Sequence, residues 1–359
     1  MSKKINQINP IIYKSDVETV NNYLNSDSWL TEHQETRKLE NSIKEYTNRK
    51  FSIAVPNGTI AIYLSLLSKG IKKGSRVGVP NITMIATVNA VLWAEATPVL
   101  IDVDESRCMS FESLKKTKNL DALIYVPLNG RGGDGLEIEK WCKNNNIFLI
   151  EDSAHALGSN YKNKSCGKLG DISIFSFTPH KIITMGQGGM ILTDSKALYN
   201  YLVDMKTFNR KMDKSEDHKG FGLNFKITDL QASFGNSQFK KLKNHIKIKR
   251  EILNTYLELL DSKIEIIDFK PYETPWFIDI VFKSIKNLDS VEEKLNSENI
   301  ETRRSYPALS SQKYLKRFDL NNLKFSQKVA KKTLWLPSSI DLNEKQIKKV
   351  TEIVNKNYK

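Results

Sequence analysis

The sequence predicts an α/β fold, a large unit with a mostly parallel central sheet flanked by helices, followed by a smaller C-terminal α+β unit. Three observations predict it. The first two-thirds of the chain alternates short apolar runs with amphipathic stretches at helical spacing, which is the strand–helix–strand signature of a parallel sheet. After about residue 235 that alternation gives way to a long basic helix and scattered strand-like segments. The 359 residues, 40% of them hydrophobic, are enough for a sizeable core.

The elements follow in order. Phe51–Val55 (FSIAV) reads as a strand, and Gly58–Leu67 (GTIAIYLSLL) as the helix after it. Arg76–Val79 is a strand, Ile85–Trp93 a helix and Pro98–Asp102 a strand. Ala122–Val126 and Phe148–Glu151 are strands on either side of a helix at Leu136–Asn144. Asp171–Phe177 (DISIFSF) is a buried strand, and a glycine cluster at Gly186–Gly189 turns the chain into the next one, Met190–Asp194. Beyond a boundary placed between residues 235 and 236, the basic stretch Lys240–Arg250 opens a long helix. Trp276–Phe282 reads as a strand, Ser290–Asn296 as a helix, and a last helix begins at Asn343.

Composition excludes several classes. The longest apolar runs are strand-sized, so no membrane span is expected, and MSKKINQINP has no apolar leader core, which predicts a cytoplasmic protein. Cys108, Cys142 and Cys166 stand far apart without CxxC spacing, so neither a disulfide framework nor a metal site is expected. The net charge of +14 leaves nucleic acid, a membrane surface or an anionic small substrate open. In Lys240–Arg250 the apolar residues recur at helical spacing while lysines fill the other face, which favours a solvated helix over a nucleic-acid patch.

The chemistry concentrates at strand ends. Asp152 closes the Phe148–Glu151 run, at the sheet edge where open α/β folds bind ligands; a helix cap or surface turn is the plainer alternative. Ser176 ends the next strand and Lys181 follows it by five residues, where burial would turn an ordinary surface cation into an amine nucleophile. Asn57-Gly58-Thr59 stands between a strand and a helix, and offers backbone N–H groups and a hydroxyl to an anion.

In this order and at these intervals the motifs resemble the nucleotide-sugar aminotransferase family, and within it the perosamine-synthase branch. The likeness runs through NGT at Asn57–Thr59, VPNITMIATVNAVLWAEATPVLIDVD at Val79–Asp104, IEDSAHALGS at Ile150–Ser159, SFTPHK at Ser176–Lys181 with GQGG after it, GFGLNFK from Gly220, and TRRSYPALSSQKY at Thr302–Tyr314. The resemblance implies the aspartate-aminotransferase fold (fold type I) and a pyridoxal 5'-phosphate (PLP) cofactor held as an imine on Lys181.

It further implies that Asp152 pairs with the pyridine nitrogen, that His155 contacts the phenolic oxygen, and that Gly58, Thr59 and Ser176 form a phosphate cup. Asn224 would reach the phosphate from a second subunit, so a homodimer is expected. Glutamate is the implied amino donor, and a keto sugar, nucleotide-linked in the family's manner, the implied acceptor. Trp29, Arg303 and Tyr306 are candidates for substrate contact. Met84 stands where the family usually places an aromatic ring over the cofactor, Asn224-Phe225-Lys226 replaces an Asn-x-Arg, and YPALSSQ lacks the family's late histidine. Three alternatives stay open: an aminotransferase for a non-nucleotide keto substrate, a sugar dehydratase of the same fold, against which Lys181 speaks, and a non-catalytic regulator.

Overall fold

A computed structural model describes residues 4–211, 216–318 and 322–359; the first three residues of the MSKKINQINP stretch lie outside the described residues. Thirteen strands occur among the described residues. They are β1 (Phe51–Val55), β2 (Arg76–Pro80), β3 (Thr97–Ile101), β4 (Ala122–Tyr125), β5 (Phe148–Asp152), β6 (Asn160–Tyr161), β7 (Lys164–Ser165), β8 (Ile172–Ser176), β9 (Gly189–Thr193), β10 (Glu265–Ile266), β11 (Ile278–Val281), β12 (Arg303–Arg304) and β13 (Thr333–Leu336).

Seven of them form the central sheet in the order β1-β9-β8-β5-β4-β2-β3. All neighbours are parallel except β9, which runs antiparallel to both β1 and β8. Strands β4, β5 and β9 are buried along their whole length, as apolar runs covered by helices on both faces should be. The expected mostly parallel α/β sheet is therefore present, with β1 to β5, β8 and β9 within two residues of the expected bounds.

The parallel strands bring their carboxyl ends to one edge. There Asn57 caps the helix Gly58–Ser68 by accepting the Ile60 N–H at 3.0 Å, and Asp152 and Ser176 occupy the last positions of β5 and β8.

The C-terminal part carries a four-stranded antiparallel sheet, β10-β11-β13-β12, under the helices Ile285–Ser297 and Glu344–Asn357. Its core joins Ile252, Tyr256, Ile280, Leu288, Leu334 and Val350, and also Ile5, whose backbone bridges Ile300. We propose a division of the chain near residue 235, supported by this second core, which Ile5 joins; the helix Asp229–Phe239 runs across that point, and Trp276, Phe277, Tyr306, Leu309 and Trp335 pack into the core of the central sheet.

The long helix Leu242–Leu259 departs from expectation at one position. Lys249 does not lie on the solvated face but is buried, donating to the carbonyl oxygens of Trp276 at 2.8 Å and of Ser338. The expected Trp276–Phe282 strand starts at Ile278, and the expected Ser290–Asn296 helix extends to Ile285–Ser297 because Ser284 caps it, accepting from Asn287 N–H at 3.1 Å.

The two parts are joined through Asp279 of β11. Its carboxylate accepts from Arg131 Nη1 at 2.5 Å, from Asn129 Nδ2 at 2.9 Å and from Trp335 Nε1 at 2.6 Å, all of them buried. Among the described residues no helix is long and apolar enough to cross a membrane.

Candidate active site

At the carboxyl edge of the central sheet lies a cavity of about 270 Å³ lined by Asn57, Gly58, Thr59, Met84, Thr87, Asp152, His155, Ser176 and Lys181, among others. Residues 57 to 181 of the sequence thus meet at one place because β1, β2, β5 and β8 all end there. Eight candidates named from the sequence belong to this lining: Gly58, Thr59, Met84, Asp152, His155, Ser176, Lys181 and the capping residue Asn57.

The loop that carries Lys181 is pinned by its own backbone. Lys181 N–H donates to Thr178 O at 3.0 Å, Phe177 N–H to Gly188 O at 2.9 Å, and Thr184 Oγ1 to Phe177 O at 3.0 Å. Lys181 is half-buried as a residue, and its amine faces the cavity. Desolvation by the surrounding protein pulls that amine down to about 7. The Asp152 charge opposes the shift and Arg303 adds to it.

Asp152 is buried, and burial pushes its carboxyl above the usual range despite a hydrogen bond from Thr87 Oγ1 at 2.8 Å, one from Ala154 N–H at 3.3 Å, and the Lys181 charge. Thr87 is in turn within 3.2 Å of Thr83 Oγ1, so two hydroxyls fix one side of the carboxyl. His155 is buried, and desolvation followed by the charges of Lys181, Arg303 and Arg131 holds it neutral, well below its ordinary value. Its Nδ1 is buried without a hydrogen-bond partner.

These features suit PLP. A buried carboxyl short of a cation meets a ring nitrogen that becomes cationic when protonated, and an orphaned imidazole nitrogen meets a phenolic oxygen. The space beside Ser176 also fits a phosphate cup: a Cβ added to Gly58 would approach Ser176 Cβ to 3.2 Å, so a larger residue there would crowd Ser176 by a few tenths of an ångström.

Three other candidates lie around the cavity rather than in it. Tyr306 is buried with its ring 5.9 Å from that of His155, and the Arg303 guanidinium sits 5.8 Å from the Tyr306 ring and 5.6 Å from that of Trp335. Arg303 has no carboxylate partner within ion-pair distance among the described residues, whereas Arg304 beside it is paired with Asp289 at 2.7 Å and with Glu292. Trp29 is 67% exposed and lies outside the lining, as does the exposed Asn224, whose backbone bridges Thr207.

Of Ser310 and Ser311, the two residues in the stretch that lacks the late histidine, Ser310 is buried in a network with Asn81, accepting from Asn81 Nδ2 at 3.1 Å and donating its N–H to Asn81 Oδ1 at 2.9 Å. Met84, 42% exposed, turns its sulfur to the Ala86 N–H at 3.0 Å. Sequence reasoning missed Thr87 and Trp276. The indole of Trp276 lies 4.0 Å from Lys181 Nζ and 4.1 Å from the His155 ring. Nothing in the sequence near either residue signals such a contact.

A mostly parallel sheet with one antiparallel strand, and a lysine and a carboxyl sharing the cavity at its carboxyl edge, are the arrangement of a PLP-dependent enzyme. Comparison with known proteins narrows this class: the DegT/DnrJ/EryC1/StrS aminotransferase family matches residues 10–355, and the chain belongs to that family. It is 31% identical to a GDP-perosamine synthase of Escherichia coli O157:H7 over 97% of both chains. It is 30% identical to a UDP-4-amino-4,6-dideoxy-N-acetyl-beta-L-altrosamine transaminase of Campylobacter jejuni, over 77% of this chain and 72% of that one. In fold it superposes on Helicobacter pylori PseC, an aminotransferase involved in the biosynthesis of pseudoaminic acid, with a TM-score of 0.93 and 22% identity over 99% of both chains. A putative sugar aminotransferase from Streptococcus pneumoniae in its PMP form gives a TM-score of 0.91 and 21% identity over 97% of this chain and 98% of that one.

Proposed function

We propose that this aminotransferase moves an amino group from glutamate onto a nucleotide-linked 4-keto-6-deoxyhexose, in the cytoplasm, in the service of surface polysaccharide synthesis. The observation that carries the reading is the Lys181 amine, lowered to about 7 in the same cavity as a buried carboxyl. The names of the perosamine synthase and altrosamine transaminase relatives support the substrate class.

In this reading Lys181 Nζ anchors the cofactor covalently. With the cofactor and donor bound, the same nitrogen, once free, would take a proton from the donor's Cα and hand one to the cofactor's C4'. In the second half of the cycle it returns a proton to the sugar carbon that receives the amine. A pKa near neutrality suits both directions of transfer.

PLP, when bound, supplies an electron sink for the charge left on that carbon. Asp152, steadied by Thr87, keeps a proton at the ring nitrogen. His155, held neutral, satisfies its free nitrogen at the phenolic oxygen. The N–H groups at the start of the Gly58–Ser68 helix, with Thr59 and Ser176 hydroxyls, hold the phosphate. Asn224, exposed and away from its own chain's cavity, fits a contact with the phosphate bound by a second copy, which makes the active unit a homodimer. Arg303, without a carboxylate partner among the described residues, is placed to meet a substrate phosphate, with Tyr306 beside it; the exposed Trp29 is a further proposed substrate contact.

The test is an absorbance spectrum of the protein with added PLP, before and after glutamate, for the wild type and Lys181→Ala. A yellow imine band that glutamate converts to the pyridoxamine form in the wild type, and that is missing in the variant, is expected. A wild type without the band, or a variant that keeps it, refutes the assignment of Lys181.

A further inference from the structure

Trp276 stands two residues before β11 of the C-terminal sheet, yet its indole reaches the lysine loop beside the central sheet. Its Nε1–H donates to the carbonyl oxygen of His180 at 2.7 Å, in the peptide that leads into Lys181. The ring lies 4.0 Å from Lys181 Nζ, and its centroid is 4.1 Å from that of the His155 ring. One side chain therefore touches the amine, the peptide that carries it and the imidazole beside it.

Trp276 is itself fixed on several sides. Its backbone N–H donates to Asn129 O at 3.0 Å, its carbonyl accepts from the buried Lys249 Nζ at 2.8 Å, and its ring stacks on Phe277 at 4.0 Å between centroids. Asn129 in turn binds Asp279, the residue that joins the two parts of the molecule. Lys249 has no carboxylate partner within ion-pair distance among the described residues, so its protons are spent on the Trp276 and Ser338 carbonyls.

We propose that Trp276 is a positioning residue for the proton transfers of the reaction: it clamps the His180–Lys181 peptide to the C-terminal unit and forms the wall that holds the Lys181 amine and the His155 ring at a fixed separation. The role rests on the reading of Lys181 as the cofactor's anchor. A lysine that must leave its anchored position and then act on a neighbouring carbon has four side-chain bonds to rotate. A rigid wall on one side and a hydrogen bond to the preceding peptide restrict where the amine goes once it is free.

Two variants separate these contributions. Trp276→Phe keeps an aromatic wall and deletes the indole N–H. Trp276→Leu removes the wall as well and lets water reach the amine, which favours its charged form.

In cofactor-free protein, the pH dependence of Lys181 acylation by a small amine-reactive ester, followed by peptide mass mapping, reads the amine's titration. The charged and titratable groups facing the amine, Asp152, Arg303, His155 and His180, are the same in all three proteins. The midpoint is expected to rise by about one unit in Trp276→Leu and to stay at the wild-type position in Trp276→Phe. In the PLP-loaded protein, the single-turnover rate with glutamate should fall about tenfold in Trp276→Phe while glutamate affinity holds. Should Trp276→Leu fail to fold, the Phe variant alone decides.

A wild-type single-turnover rate in Trp276→Phe, with the imine band lost in Lys181→Ala, overturns the positioning role and leaves the anchor standing. Survival of the band in Lys181→Ala removes the anchor and this role together.

Discussion

Gly189 offers a way to disturb the phosphate cup without replacing any residue that would bind the phosphate. It opens β9 opposite Val55 and Ser176, directly behind the Asn57–Gly58 peptide. A Cβ built there would lie 2.5 Å from Asn57 O, 2.6 Å from Asn57 C and 3.1 Å from Gly58 N, where ordinary contact begins at 3.4 Å. In Gly189→Ala the peptide must therefore retreat by 3.4 − 2.5, or 0.9 Å. A hydrogen bond of ~2.9 Å from a helix-start N–H to phosphate does not survive such a displacement. Losing one bond to a charged acceptor costs about 1.5–3 kcal/mol, which weakens PLP binding about ten- to a hundredfold. The assay is a PLP titration followed by absorbance, run beside thermal unfolding. Gly170→Ala is the control: its Cβ would come 2.6 Å from Leu149 O at the opposite end of the sheet, and its positive φ of +69° adds strain. That variant should lose at least as much stability and keep its PLP affinity. Equal PLP weakening in both, or wild-type PLP binding in Gly189→Ala, refutes the reasoning.

Two further predictions concern charge. Arg303→Ala should raise KM for the nucleotide-linked keto sugar about tenfold or more, the value of a charged hydrogen bond, with kcat little changed; Arg304→Ala, whose partners are Glu292 and Asp289, should leave steady-state kinetics alone, and equal effects of the two would argue against Arg303 as the phosphate contact. Asp229 receives N–H groups of His33, Glu35 and Thr36 at 2.7, 2.9 and 2.8 Å and so caps the helix Gln34–Thr47 from 193 or more residues away. Burial raises its carboxyl, but the Thr36, His33 and Glu35 bonds outweigh this and hold it below its usual 3.8. Because the folded value is depressed, the stabilisation is complete above 3.8 and is lost as pH falls through the lower folded value. Asp229→Asn should thus cost about 2 kcal/mol at pH 7 and flatten the acid limb of the wild-type stability curve below pH 3.8, both readable by urea unfolding; an unchanged midpoint at pH 7 would show the cap to be idle.

Much of the large unit was legible because its signals are local. Phe51–Val55 is apolar at every position but one and forms β1 with those bounds, and Asn343 caps the last helix as its side chain suggests. Asp152, Ser176 and Lys181 meet because each closes or follows a strand of one sheet, a placement that sequence order and strand spacing convey. What escaped depends on contacts between distant segments. Lys249 sits among lysines that face water, and only the fold reveals that the Trp276 and Ser338 carbonyls draw it inward. Trp276 looks like one more apolar residue of a strand, although it ends outside that strand and against Lys181. A trace of the buried network was visible in Asp279, an acid inside the apolar run WFIDIVF, but its partners Asn129, Arg131 and Trp335 come from two other places in the chain. Trp29 and Asn224 lie outside the cavity, and the roles the resemblance implies for them leave no mark in this chain's own packing.

The one antiparallel strand also governs when the site comes into being. β1 pairs with β9, so Phe51 finds Thr193 across 193 − 51, or 142, residues, and the Asn57–Gly58 peptide gains its backing only when that loop closes. Closing so long a loop delays the rewarding contacts until late in the search, which slows folding. A nascent chain still short of Thr193 has the helix that would receive the phosphate but not the strand behind it. Any PLP bound at the finished cup stabilises the folded chain by mass action.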